Sequence, residues 1–244
     1  MSDDAPGSAP RLARLLSAVV AVLLALFAAS AVTAPLVALA VRAGLVAPDT
    51  TAWQLLRTVV QFAGFLAAAL GYLALTDQWD LLRYSRPTLR ESGLVAAAAV
   101  GLLTLQYGSL FALSRAGLST GQNQAVVPAG DPVTYYIAMI LVSLLIVGPV
   151  EEVLFRGVVQ GRLRAAFGPV PAIVGASLLF GSLHLVNYSG NPVSVVAGAL
   201  MIAAVGSVFG TVYELSDNLA VPVLVHAIYN VVLLVSSYLA MTAA

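Results

Sequence analysis

The sequence predicts an all-α, polytopic membrane protein with seven or eight transmembrane helices. Three observations carry that prediction. Hydrophobic residues make up 60% of the chain and charged residues only 9%, against about 25% charged in an ordinary soluble domain. The apolar residues gather in charge-free stretches close to the ~20 residues a helix needs to cross a bilayer core. Between the stretches stand Arg, Asp, Gly and Pro, which mark span ends and turns.

The elements follow in order. Residues 1–14 are polar and short, and read as a disordered tail. The first stretch, 15–41, lies between Arg14 and Arg42. It is too long for the apolar region of a cleaved signal peptide, so it is a retained span. The second stretch is 58–76, and the third is 92–114, between Glu91 and Arg115. Residues 115–132, with Gly, Ser, Gln, Asn and Pro, read as a loop. Residues 15–132 thus hold three helices and that loop. The fourth stretch starts after Asp131-Pro132 and reaches Val150, where it meets Glu151, Glu152 and Arg156 without a loop signal. The fifth follows Phe167-Gly168-Pro169 and ends near Val186; the sixth is 193–213; the last starts near Leu219. An eighth span arises if the Glu-bearing segment crosses separately. Gly157-x-x-x-Gly161 and Gly206-x-x-x-Gly210 fit close packing between helices.

Orientation follows from Arg in short loops. Eight arginines fall on the side of the N-terminus and three on the other, so the N-terminus is expected in the cytoplasm.

Composition also excludes chemistry. All eleven cations are Arg, and a chain without Lys forms no Schiff base. No Cys means no disulfide, thiol nucleophile, iron–sulfur cluster or Cys-held zinc. Zero formal net charge removes the basic field of a nucleic-acid binder.

Charged groups within spans are costly to bury and are functional candidates by default. They cluster in the second half of the chain. In Glu151-Glu152-Val153-Leu154-Phe155-Arg156, helical spacing places Arg156 on the face of Glu152. Glu151 lies about 100° away and is left unpaired, which suits a general base acting on water. The plain alternative is a helix leaving the membrane at Gly148-Pro149, with its charges among the headgroups. The two histidines of the chain also lie in apolar surroundings, in Phe180-x-x-x-His184 and His226-x-x-x-Asn230. Either alone could be a hydrogen bond between helices. If 133–166 is one helix turning at Gly168-Pro169, Glu151 and His184 both lie about 25 Å from the turn, at matching depth.

Other intramembrane protease chemistries lack their residues. There is no Gly-x-Ser-Gly run for a rhomboid-like serine protease and no His-Glu-x-x-His for a site-2-type metalloprotease. Every Asp falls in a tail or loop, which removes an aspartyl dyad.

Taken together, the three motifs resemble those of the CPBP group of membrane proteins, also called the ABI family, which includes the CAAX prenyl endopeptidases and bacteriocin-immunity proteins. The resemblance covers roughly residues 133–240 and makes them the catalytic membrane domain. It implies a glutamate-dependent intramembrane endopeptidase with its cavity among the last four spans. Carried over by motif, Glu151 activates water and His184 assists. His226 and Asn230 stabilise the oxyanion, and Glu152, Arg156 and Phe180 support them. The implied substrate is a membrane-associated peptide or lipidated protein such as a prenylated C-terminal tail, with no cofactor and no nucleic-acid partner.

Three alternatives stay open. Glu151, His184 and His226 could hold zinc as three ligands. The polar cluster could instead fix helix packing in a non-catalytic scaffold or immunity protein. A seven-span receptor or transporter is the remaining class.

Overall fold

The computed structural model describes residues 8–243. Seven helices are long and apolar enough to cross a membrane. They are α1 (Ser8–Arg42), α2 (Thr51–Thr76), α3 (Leu89–Arg115), α4 (Pro132–Phe167), α5 (Pro169–Leu183), α6 (Pro192–Ser216) and α7 (Ala220–Thr242). The chain is therefore an all-α multi-pass membrane protein. The Glu-bearing segment does not cross separately, and the count is seven.

Helix starts are set by side-chain caps that charge-free stretches do not register. Thr50 accepts the Trp53 amide, so α2 opens seven residues before the apolar stretch does. Thr88 and Glu91 form a reciprocal capping box at α3. Asp131 accepts the Thr134 amide at 2.8 Å, with Pro132 in the first turn of α4. The polar tail is also shorter than 1–14: it is helical from Ser8, because extending an existing helix needs no new nucleus and Arg11-Leu12-Ala13-Arg14 are strong helix formers. Residues 1–7 lie outside the described residues.

Gly148-Pro149 does not end the fourth span. Helix α4 runs on, with wide i→i+5 turns at Ser143–Val147 and Val153–Gln160. Pro149 has no amide hydrogen to donate, and its ring crowds the carbonyl one turn back. The Gly148 amide reaches back to Ser143 instead. The wider turn absorbs the proline without a break, as such bulges do, commonly at functional sites. At the far end Gly168, at φ +83°, turns the chain and Pro169 starts α5.

Helix α4 is central and touches α1, α2, α5, α6 and α7, while α3 packs on α6 and α7. Seven crossings place loops 43–50, 116–131 and 184–191 on the side opposite the start of α1. Residues 115–132 are more ordered than a plain loop. Strand β1 (Gln122–Asn123) pairs antiparallel with β2 (Tyr188–Ser189). Gln54 of α2 holds Val127 O at 2.9 Å and the Ala129 amide at 2.7 Å. On the opposite side, Leu219 donates to Arg83 O, and Tyr213 donates to Leu81 O.

The first Gly-x-x-x-Gly pair packs differently from the expected helix-to-helix contact. A Cβ on Gly157 would lie 2.5 Å from Leu82 Cδ2, and one on Gly161 would lie 3.0 Å from Leu81 Cδ2. That pair receives the loop before α3. The closest backbone approaches are elsewhere: Gly64 against Ala29 and Gly181 against Ala199 O.

Candidate active site

Helix α4 carries Glu151, Glu152 and Arg156 at the centre of the bundle. Glu152 and Arg156 are fully buried and joined by Arg156 Nε donating to Glu152 Oε2 at 3.0 Å. The i,i+4 spacing anticipated that pair. It did not anticipate that the other carboxylate oxygen, Oε1, lies 2.8 Å from His226 Nδ1 on α7. A carboxylate held by Arg only accepts, so His226 Nδ1 carries the proton and donates. Glu152 thus sets the ring orientation of His226. The opposite ring nitrogen, Nε2, faces Glu151 Oε2 at 3.5 Å.

Aromatic rings complete the setting. Phe209 of α6 stacks on the His226 ring at 4.5 Å and 16°. Phe180 of α5 lies edge-on to Phe155 at 4.9 Å and 4.6 Å from the His184 ring. Phe180 and Phe209 also lie 5.6 and 5.9 Å from the Arg156 guanidinium carbon. Arg156 Nη1 and Nη2 are buried without hydrogen bonds. The two ring faces offset part of that deficit through cation–π attraction. Gly206 and Gly210 bring α6 close to α5 and α4: a Cβ on Gly206 would lie 3.1 Å from Phe180 Cδ1, and one on Gly210 would lie 2.7 Å from Gln160 Oε1 and 3.2 Å from Ile173 Cγ2, with the Arg156 guanidinium in ordinary contact with both. The second Gly-x-x-x-Gly pair therefore serves close packing against the two neighbouring helices.

His184 ends α5. Its Nδ1 lies 2.8 Å from the Phe180 carbonyl oxygen. A carbonyl only accepts, so Nδ1 donates to it and Nε2 is the nitrogen left for a ligand. Asn230, one turn after His226, makes no hydrogen bond to another described residue. Glu151, His184, His226 and Asn230 line one cavity of about 450 Å³. Its walls include Gln54, Arg57 and Gln61 of α2, and residues 123–126 and 186–187 of the far-side loops. The cavity thus leads from mid-membrane toward the side opposite the N-terminus. The structure brings all seven residues singled out in the sequence into one region. It adds Phe209 and the cavity face of α2. Phe209 carries no local signal, since any apolar helix holds similar residues.

Among the described residues, no three His, Asp or Glu side chains converge closely enough to hold a metal ion. The trio Glu151, His184 and His226 shares the cavity but is not set as three ligands around one point.

A family model described as type II CAAX prenyl endopeptidase Rce1-like matches residues 133–232, the segment that runs from α4 into α7 and holds every residue above except the α2 face and loop residues 123–126. No curated protein and no solved structure matches the chain.

Proposed function

We propose that this chain, whose residues 133–232 match the family model of Rce1-like type II CAAX prenyl endopeptidases, is a membrane protease that uses Glu151 to activate the hydrolytic water, without a metal. The observation that carries the reading is the placement of Glu151. It is the carboxylate in the cavity that no Arg neutralises, and it faces His226 Nε2 at 3.5 Å beside His184 and Asn230.

The chemistry runs as follows. Glu151 takes a proton from a water that also donates to the free Nε2 of His184. The water oxygen bonds to the scissile carbonyl carbon. The carbonyl oxygen gains negative charge and accepts a hydrogen bond from Asn230 Nδ2, with the His226 ring beside it to stabilise that charge. Such donors in a dry site contribute about 3 kcal/mol each to a transition state. The C–N bond then breaks, and Glu151 returns its proton to the leaving amine. Glu152 and Arg156 do not touch the reacting atoms; they hold His226 in place.

The substrate is a membrane-associated peptide. With Arg156 in the site instead of a loop, arginines on the N-terminal side still outnumber those opposite. We read that side as cytoplasmic, so the cavity opens on the non-cytoplasmic face. A cytoplasmic prenylated tail requires the reverse orientation. Accessibility of single labelled positions in loops 77–88 and 116–131 in intact cells separates the two.

The test of mechanism is cleavage by purified protein in lipid vesicles. Quenched-fluorescent peptides, including farnesylated C-terminal tails, are given to wild type and Glu151→Gln, with and without a tight chelator. Chelator-resistant cleavage that disappears in Glu151→Gln is expected. Chelator-sensitive cleavage moves the water onto a metal. Absence of all cleavage, with both proteins folded, favours a non-catalytic role.

A further inference from the structure

Helices α1 and α2 meet backbone to backbone at Gly64, where a Cβ would lie 2.6 Å from Ala29 Cα. From that level toward loop 43–50 they enclose a groove of about 640 Å³. The α1 residues that line it follow one helical face, and five of them are small: Ala29, Ser30, Thr33, Ala34 and Ala38. Their short side chains leave the space open. Trp53, Arg57, Gln61 and Phe65 line the α2 side, one from each turn.

The wall is mostly apolar, and its only charges are two cations, Arg42 and Arg57. Neither forms an ion pair among the described residues, and both are exposed. Their charges stand at one height. Arg42 ends α1, and Trp53 lies in the first turn of α2, across the connecting loop. Arg57 starts one turn deeper, but its guanidinium reaches back to 4.4 Å from the Trp53 ring centre. A long side chain that lifts its charge to the level of a Trp belongs at a membrane interface. From Arg42 to Leu26, the deepest α1 residue of the groove, the helix rises ~24 Å. One leaflet with its headgroups is ~20–22 Å thick. The groove thus offers positive charge at phosphate height and an apolar wall where an acyl chain runs.

We propose that this groove binds an anionic phospholipid of the loop-side leaflet. Arg42 and Arg57 hold its phosphate, and one acyl chain lies along the small residues of α1 toward Leu26. Leu26, Arg57, Gln61 and Phe65 also border the catalytic cavity, so the bound lipid stands on the flank of that cavity. The inference does not depend on the protease reading.

The experiment places the full chain in phosphatidylcholine vesicles and reads fluorescence. The chain has two Trp, so Trp79→Phe leaves Trp53, inside the groove, as the reporter. Phosphatidylglycerol or phosphatidylcholine with one brominated acyl chain is added as quencher at equal mole fraction. Each variant is normalised to its own unquenched signal. Phosphatidylglycerol is expected to occupy the site roughly fivefold to thirtyfold better, the range for one to two arginines acting on an anionic headgroup. The double change Arg42→Gln/Arg57→Gln removes the preference, and Arg42→Lys/Arg57→Lys keeps most of it. Ala34→Phe fills the groove without altering charge and lowers quenching by phosphatidylglycerol. Equal quenching by the two lipids in the Trp79→Phe protein overturns the proposal. So does a preference that survives the double Gln change. A preference untouched by Ala34→Phe marks a diffuse surface field instead of a groove site, and also overturns it. Displacement of the brominated lipid by soluble glycerol phosphate assigns the arginines to a free anion and has the same consequence.

Discussion

In the C-terminal half, Glu152 holds Arg156 with one carboxylate oxygen and His226 with the other, and none of the three is more than 3% exposed. In the N-terminal half, Arg57 and Gln61 also lie within a span but turn to open cavity and bond to nothing around them. Packing differs in the same sense. Of the most apolar window in α6, 56% is buried within the protein, against 22% in α3. A charge in a membrane span is tolerated when it is dry and paired, or when it faces water. The first arrangement fixes atoms in place, as chemistry requires. The second leaves donors free for a ligand. The chain uses one in each half.

The comparison can be broken most sharply at Glu151. Glu151→Gln is expected to lower the cleavage rate by roughly 10²–10⁴-fold, the range for loss of a general base. Its unfolding midpoint should match wild type, because Glu151 holds no partner that the fold depends on. A large drop in stability would instead place Glu151 among the structural groups.

Arg156 tests the dry half for stability. Arg156→Met leaves the Glu152 carboxylate buried beside His226 without its guanidinium, and should cost about 3–5 kcal/mol in reversible unfolding. The double variant Glu152→Gln/Arg156→Met should recover much of that, but not activity, because His226 loses its acceptor. Arg57→Gln in the open half should change stability by less than about 1 kcal/mol.

Glycines sharpen the contrast at smaller scale. Gly181→Ala would set a methyl 2.5 Å from Ala199 O and should cost about 1–3 kcal/mol. Gly101→Ala on α3 meets nothing within 4 Å and should be neutral or gain up to about 1 kcal/mol from helix propensity.

The smallest effect is expected outside the bilayer core. Arg83 and Asp217 pair at 2.9 Å but are 38% and 57% exposed. Arg83→Ala should cost about 0–1 kcal/mol, less at high salt. A loss as large as that of Arg156→Met would mean that this pair, too, is effectively dry.

By itself the sequence determined the fold class, seven of the helices and the shortlist Glu151, Glu152, Arg156, Phe180, His184, His226 and Asn230. Span number is a local property: an apolar stretch must bond its own backbone in lipid, and only a helix does so. The Glu152–Arg156 pair was legible because i,i+4 spacing is fixed within one helix. Helix starts at Thr50 and Thr88 were missed because caps are polar and fall outside a hydropathy pattern. The passage of α4 through Gly148-Pro149 was also hidden, since the widened turn that absorbs the proline depends on the helix being held on several sides. Only tertiary structure decided that Glu152 reaches His226, that Phe209 stacks on that ring, and that Gly206 and Gly210 meet Phe180 and Gln160. Each joins residues on different helices, and no periodicity within one helix encodes which face of another it will meet. The face of α2 turned to the cavity was settled in the same way, by which helices pack against α4.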